Sequence, residues 1–256
     1  MIIFRNIPSV VKLYRSLPEL TQFREEIDDA REKGDIERER ENILKAENCW
    51  GPRIVRELGI DLHISGRENI PDHGPVCIIS NHQGYCDIPV CFTALSKTQF
   101  GFIAKDDLEK VPKYGTWIKR VRSAMIRRGD ARAALKAILE GISYIEQGFS
   151  MLIFPEGTRA KCSTMGTFKK GSLKLATKPE VPIVPVSING TYNVFERYGR
   201  VRPARVDILI HPPIETKGLS RSDEEELSDR VYDIIKNGVA ELAAGNPESI
   251  FEKPEK

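Results

Sequence analysis

His82 and Asp87 stand five residues apart in the run Asn81-His-Gln-Gly-Tyr-Cys-Asp87. An imidazole within reach of a carboxylate is a proton-transfer device. The carboxylate binds one ring nitrogen and fixes the tautomer, which leaves the other nitrogen as a base. Five residues along a regular helix rotate by about 140° at 3.6 residues per turn, so the two side chains would diverge. They meet only where the chain turns between them, and Gly84 makes such a turn easy. Asp87 has a second reading as the N-cap of the following helix-like IPVCFTAL, and the spacing alone does not choose.

A second cluster is Phe154-Pro-Glu-Gly-Thr-Arg159. Gly157 lets backbone amides approach an anion, Thr158 offers a hydroxyl, and Arg159 offers a two-pronged guanidinium that suits phosphate. The amides of this turn are candidates for stabilising developing negative charge on a carbonyl oxygen. Glu156 reads either as an acceptor for a substrate hydroxyl or as a structural anchor. A strand-ending turn with an incidental arginine is the plainer alternative for the whole cluster.

Both clusters need strands behind them, and the sequence supplies short apolar runs. Strands are predicted at 60–66, 75–80, 99–104, 123–127, 151–154, 183–188 and 205–211. His82 and the 154–159 turn each follow directly on a strand, and in open α/β sheets ligands bind beyond the carboxyl ends of strands. Between strands, Asp130 caps a helix with Leu135, Ile138, Leu139, Ile142 and Ile145 on one face. Ser220 opens a last helix carrying Leu227, Val231, Ile234, Ile235, Val239 and Leu242. The expected fold class is α/β, a mixed and largely parallel central sheet of about seven strands flanked by helices. Ahead of it stands a helical N-terminal segment, residues 1–58, read as membrane-docking; residues 59–256 form the second unit, closed by the C-terminal packing helix.

The formal charge of +2 conceals an uneven distribution. Residues 48–214 carry a net +9, between stretches of −5 at 19–47 and 215–256. The segment 105–136 holds ten bases against four acids, and 159–178 holds six bases and no acid. Such runs read as solvated faces or as attraction to a polyanion. Residues 2–17 combine Ile2, Ile3, Phe4, Ile7, Val10, Val11, Tyr14 and Leu17 with only basic charges, which suits either an interfacial helix or one docked on the core. Residues 19–48 read as an exposed, charge-dense helix. Trp117, Ile118, Val121 and Met125 among Lys119, Arg120 and Arg122 belong to a membrane surface or to the core.

A hydrophobic share of 40% with 30% charged residues excludes a disordered chain, and no stretch reaches the ~20 apolar residues of a spanning helix. The N-terminus does not read as a cleavable signal. Five cysteines without a CxxC pair fit reduced thiols in a cytoplasmic chain rather than disulfides or zinc. His82, Asp87 and His211 lack metal-ligand spacing, so no metal is expected. Positive charge without a reading motif gives no case for nucleic acid.

Taken together, NHxxxxD at 81–87 and FPEGTR at 154–159 resemble the glycerolipid acyltransferases, specifically the 1-acylglycerol-3-phosphate acyltransferases. AKDDLEKVPKYG (104–115), with Lys105, Leu108, Pro112 and Gly115, resembles that family's second block, and VPIVPVSING (181–190) its fourth. The resemblance covers roughly residues 61–211. It departs at Gly84, where lysophosphatidate enzymes often have Ser, and at Arg127, where an acid commonly precedes the arginine, here Arg128.

The resemblance implies transfer of a fatty acyl group from a thioester of coenzyme A or acyl carrier protein to the sn-2 hydroxyl of 1-acylglycerol-3-phosphate, giving phosphatidic acid without a cofactor. It implies His82 and Asp87 as catalytic, and Lys105, Arg128, Glu156, Gly157, Thr158 and Arg159 as substrate-binding. Peripheral attachment to an anionic membrane at the cytoplasmic face follows from the lipid substrate. Glycerol-3-phosphate or another lysophospholipid as acceptor, a phosphate-binding hydrolase, and a non-enzymatic membrane module are the competing readings.

Overall fold

The computed structural model describes residues 20–127 and 129–251. The basic-apolar segment 2–17 and Arg128 lie outside these residues. The seven predicted strands form as β1 (Ile60–Ser65), β2 (Cys77–Ser80), β3 (Phe100–Lys105), β4 (Ala124–Ile126), β5 (Ser150–Ile153), β6 (Ile183–Asn189) and β7 (Ala204–Ile210). They make one sheet in the order β1-β7-β6-β2-β5-β3-β4.

Only the β6–β7 pairing is antiparallel. Strands β6, β2, β5, β3 and β4 therefore run one way, while β1 and β7 run the other. One sheet edge thus collects the ends of five strands, with His82 beyond β2, the 154–159 turn beyond β5, Lys105 closing β3 and Gly190 beyond β6. β2 lies between β5 and β6, so the two motif turns are neighbours at that edge.

Alternation along the strands fills two cores. Ile78, Leu152, Phe100 and Val186 pack toward one face. Cys77, Ile79, Met151 and Ile153 pack toward the other. The first face is covered by α1 (Thr21–Glu32), α2 (Ile36–Glu57), α3 (Asp87–Ala94) and α4 (Tyr114–Arg120). The second is covered by α5 (Ala131–Glu146), α6 (Lys174–Thr177) and α7 (Arg221–Gly245).

The helix starts follow their caps. The Asp130 side chain accepts from the Ala133 amide. Ser220 and Asp223 form a capping box at α7. On α7, Leu227, Val231, Ile235 and Val239 are buried as the stripe predicts.

Two expectations need correction. The charge-dense segment is not one exposed helix but two, α1 and α2, separated at Gly34. α2 buries Ile43, Ala46, Trp50 and Ile54 along with Glu39 and Glu47. Counting apolar positions failed because some charges on the buried face are paired. Glu39 receives Arg31 and Arg122, each at 2.6 Å, and Arg120 grips Asp28 at 2.8 Å. Arg120 and Arg122 of the basic run are thus paired with acids of α1 and α2, and those two arginines are not free for a polyanion.

On α5, Ile142 and Ile145 are buried, whereas Leu135 and Leu139 are each 55% exposed. The contact centres on Gly141, where an added Cβ would meet Leu175 Cδ1 at 2.7 Å. At 3.6 residues per turn Leu135 and Leu139 lie about 120° and about 160° around the helix from it.

The ambiguous cluster on α4 resolves toward the core. Ile118 and Val121 are buried, and Trp117 and Met125 pack against the same core. No helix among the described residues is long and apolar enough to cross a membrane.

Candidate active site

The chain leaving β2 turns before α3 begins, with the Asp87 amide bonded to the Gly84 carbonyl at 3.4 Å. That turn folds Asp87 back onto His82, and the Nδ1–Oδ2 distance is 2.6 Å. Asp87 is therefore not a cap. It is the first residue of α3, its side chain facing backwards into the loop. The same Oδ2 accepts the Gln83 amide at 2.7 Å and the Gly84 amide at 3.0 Å, and Oδ1 accepts the Thr191 hydroxyl.

Because a carboxylate faces Nδ1, that nitrogen carries the proton, and Nε2 is left as the base. The His82 ring stacks on Phe154, with centroids 4.1 Å apart and planes 13° from parallel. Its side chain is 16% exposed. Among the described residues no hydroxyl or thiol hydrogen-bonds His82. Cys86 is buried, and burial pushes its thiol far above the ordinary range, so it is no nucleophile. Ser80 is buried and spends its hydroxyl on the Asn81 carbonyl. All five cysteines are free thiols.

The turn after β5 is tied to this loop. Glu156 Oε1 accepts the His82 amide and Oε2 accepts the Gly166 amide, both at 2.7 Å. That geometry is the anchoring role among the two offered by the sequence. Burial raises the Glu156 pKa, with the two amides pulling it back. The Ala160 amide donates to the His82 carbonyl at 2.7 Å, closing the link. The Gly157 amide is spent on the Phe154 carbonyl at 3.0 Å, so it does not face a substrate oxygen. Gly157 sits at φ +66° with Lys169 over it, and Thr158 is exposed.

Arg159 reaches the same loop from the other motif. Its guanidinium lies 3.5 Å from the Tyr85 ring centroid and donates to Glu196 at 2.9 Å. Lys105 closes β3 at the same sheet edge, where it is ion-paired with Asp107 and partly exposed. Arg127 pairs with Asp106 at 3.1 Å.

The structure adds residues that spacing did not single out. Thr191 and Glu196 come from the β6–β7 connection. Asn81 pairs with both the carbonyl and the amide of Ile188, at 2.9 and 2.8 Å, and Gln83 accepts the Gly190 amide at 2.9 Å. The one available signal was position, since Thr191 directly follows the VPIVPVSING block. Among the described residues no group of His, Cys, Asp and Glu could hold a metal ion.

The sequence model of the acyltransferase family matches residues 61–189, half of the chain and the span that holds both turns. The 1-acyl-sn-glycerol-3-phosphate acyltransferase BAT2 of Brassica napus chloroplasts is 34% identical over 155 residues, covering 59% of this chain and 44% of that one. The chain spans less than half the length of that relative. A 1-acyl-sn-glycerol-3-phosphate acyltransferase of Borreliella burgdorferi is 33% identical over 178 residues, covering 69% and 71%. The crystal structure of the 1-acyl-sn-glycerophosphate acyltransferase PlsC of Thermotoga maritima superposes with a TM-score of 0.75 at 29% identity, over 99% of this chain and 100% of that one. With the seven-stranded sheet, the partly buried imidazole–carboxylate pair and the tied second turn in place, the chain belongs to the acyltransferase family.

Proposed function

We propose that this protein transfers a fatty acyl group from a coenzyme A or acyl carrier protein thioester to the sn-2 hydroxyl of 1-acylglycerol-3-phosphate, giving phosphatidic acid. The observation that carries the reading is the partly buried Asp87–His82 pair, whose free Nε2 has no hydroxyl or thiol partner among the described residues. The proton to be taken must arrive with a substrate. An alcohol becomes a competent nucleophile when a positioned base removes its proton as the new bond forms, worth roughly 10²–10⁴-fold.

The acceptor hydroxyl oxygen attacks the thioester carbonyl carbon while its proton passes to His82 Nε2. Asp87 stabilises the resulting imidazolium. The tetrahedral intermediate collapses, the C–S bond breaks, and the departing sulfur takes the proton back from Nε2. The products are an ester and a free thiol.

Arg159 supplies the phosphate contact, with Lys105 further along the same edge. The names and sequences of the relatives support lysophosphatidate as acceptor. Because that lipid resides in membranes, the protein works peripherally at an anionic surface on the cytoplasmic face, with the apolar and basic residues 2–17 as the docking segment.

Purified protein with lysophosphatidate and a long-chain acyl thioester should release thiol and phosphatidate in equal amounts. Release of free fatty acid instead would replace the reading with a hydrolase. Cosedimentation with vesicles of anionic but not zwitterionic lipid tests the membrane role.

A further inference from the structure

Four consecutive backbone amides, residues 82 to 85, donate to three carboxylates: His82 to Glu156, Gln83 and Gly84 to Asp87, and Tyr85 to Glu196. Two of these acids belong to the motif turns. Glu196 does not; it comes from the β6–β7 connection. We propose that Glu196 is a positioning residue for the acceptor site, holding Arg159 in place so that the protein prefers a phosphate-bearing acceptor. This rests on the acyl-transfer reading above.

A single oxygen, Glu196 Oε1, accepts both the Tyr85 amide at 2.8 Å and Arg159 Nη1 at 2.9 Å. The guanidinium is thereby pinned between that carboxylate and the face of Tyr85, which is 61% exposed. Among the described residues Arg159 makes no other hydrogen bond, so most of its five donors stay available to a phosphate. An arginine on a long flexible stem would otherwise lose rotamer freedom on binding its ligand, a cost that pre-orientation removes.

The Glu196 side chain is itself 1% exposed, and its second oxygen has no partner among the described residues. Burial pushes its carboxyl above the ordinary range, while the Tyr85 amide and Arg159 pull it back.

Gly84 is the counterpart of this acid. A Cβ added there would lie 2.7 Å from Glu196 Oε2, closer than real contacts allow. The glycine at 84 therefore makes the space that Glu196 occupies. A serine at 84 should displace the carboxylate and loosen Arg159.

The test compares kcat/KM for 1-acylglycerol-3-phosphate with kcat/KM for monoacylglycerol, which lacks the phosphate, using one acyl thioester. Glu196→Ala should lower this ratio about tenfold or more through the phosphate acceptor's KM, as expected when a charged hydrogen bond is lost. Glu196→Gln keeps an oxygen for Tyr85 and Arg159 and should stay within about threefold of the parent ratio, short of that charged-bond loss. Gly84→Ser should fall with Glu196→Ala, and the double variant should fall no further, since both remove one contact.

A loss of folding would depress both acceptors alike and leave the ratio alone. An unchanged ratio in Glu196→Ala and Gly84→Ser, or a fall in Glu196→Gln as large as in Glu196→Ala, overturns the proposal. If the parent protein acylates neither acceptor, the acyl-transfer reading fails. Glu196 is then judged by binding of glycerol 3-phosphate, whose Kd should rise about tenfold in Glu196→Ala if the contact matters; an unchanged Kd overturns the proposal.

Discussion

Replacing Asp87 by Asn separates the two things that this carboxylate does. Asp87 is fully buried and accepts from His82 Nδ1, from two backbone amides and from Thr191. In Asp87→Asn the amide oxygen should take the Oδ2 position, because the Gln83 and Gly84 amides demand an acceptor there. The new NH2 then faces Thr191, whose hydroxyl can turn to accept it. His82 keeps its tautomer and its place, and only the negative charge is lost. For charge centres about 4 Å apart at an effective dielectric near 20, that charge is worth about 4 kcal/mol to the imidazolium.

Some of this returns as a neutral hydrogen bond of about 1 kcal/mol, leaving about 3 kcal/mol on the barrier. A fall in kcat of about 10²-fold follows, with the KM of the acyl donor unchanged. The assay is thiol release at saturating lysophosphatidate and acyl thioester. A kcat within about threefold of the parent would show that the imidazolium needs no such stabilisation from Asp87.

Other perturbations reach the phosphate contacts and the scaffold. Arg159→Ala should raise the acceptor KM about tenfold or more with a smaller change in kcat; an unchanged KM contradicts the phosphate role. Glu39→Ala leaves Arg31 and Arg122 facing each other without their shared acid and should cost about 3 kcal/mol, a drop in Tm of roughly 6–12 °C by thermal scan. Glu47 lines an apolar pocket with Trp50, Phe92 and Phe102, and burial pushes its pKa well above 4.5. A carboxyl raised on folding contributes stability below its unfolded pKa and loses it as pH rises through the folded one. Glu47→Met should therefore gain on the parent in urea midpoint between pH 5 and pH 8, and an equal difference at both values would count against that burial.

The strand pattern was legible because the runs are short and either apolar, as in β2 and β5, or alternating, as in β1. The His82–Asp87 pair was legible only as a possibility, since its meeting depends on a turn at Gly84 that the spacing permits without requiring. Glu156 carried two roles until its oxygens were seen to accept amides from His82 and Gly166. Thr191 and Glu196 stayed hidden because they approach from a connection more than 100 residues away, and nothing local marks a residue for a distant contact. Charge counting misled most. The run 105–136 read as a solvated face or as a surface for a polyanion, yet Arg120 and Arg122 are spent on Asp28 and Glu39. Composition reports charges and not their partners.

The central claim is that His82 is the base that deprotonates the acceptor hydroxyl. It is tested most directly by single-turnover formation of phosphatidate from lysophosphatidate and an acyl thioester in the parent and in His82→Ala. The chemical step should slow by roughly 10²–10⁴-fold in His82→Ala while lysophosphatidate still binds. Acyl transfer in His82→Ala at a rate near that of the parent would contradict it.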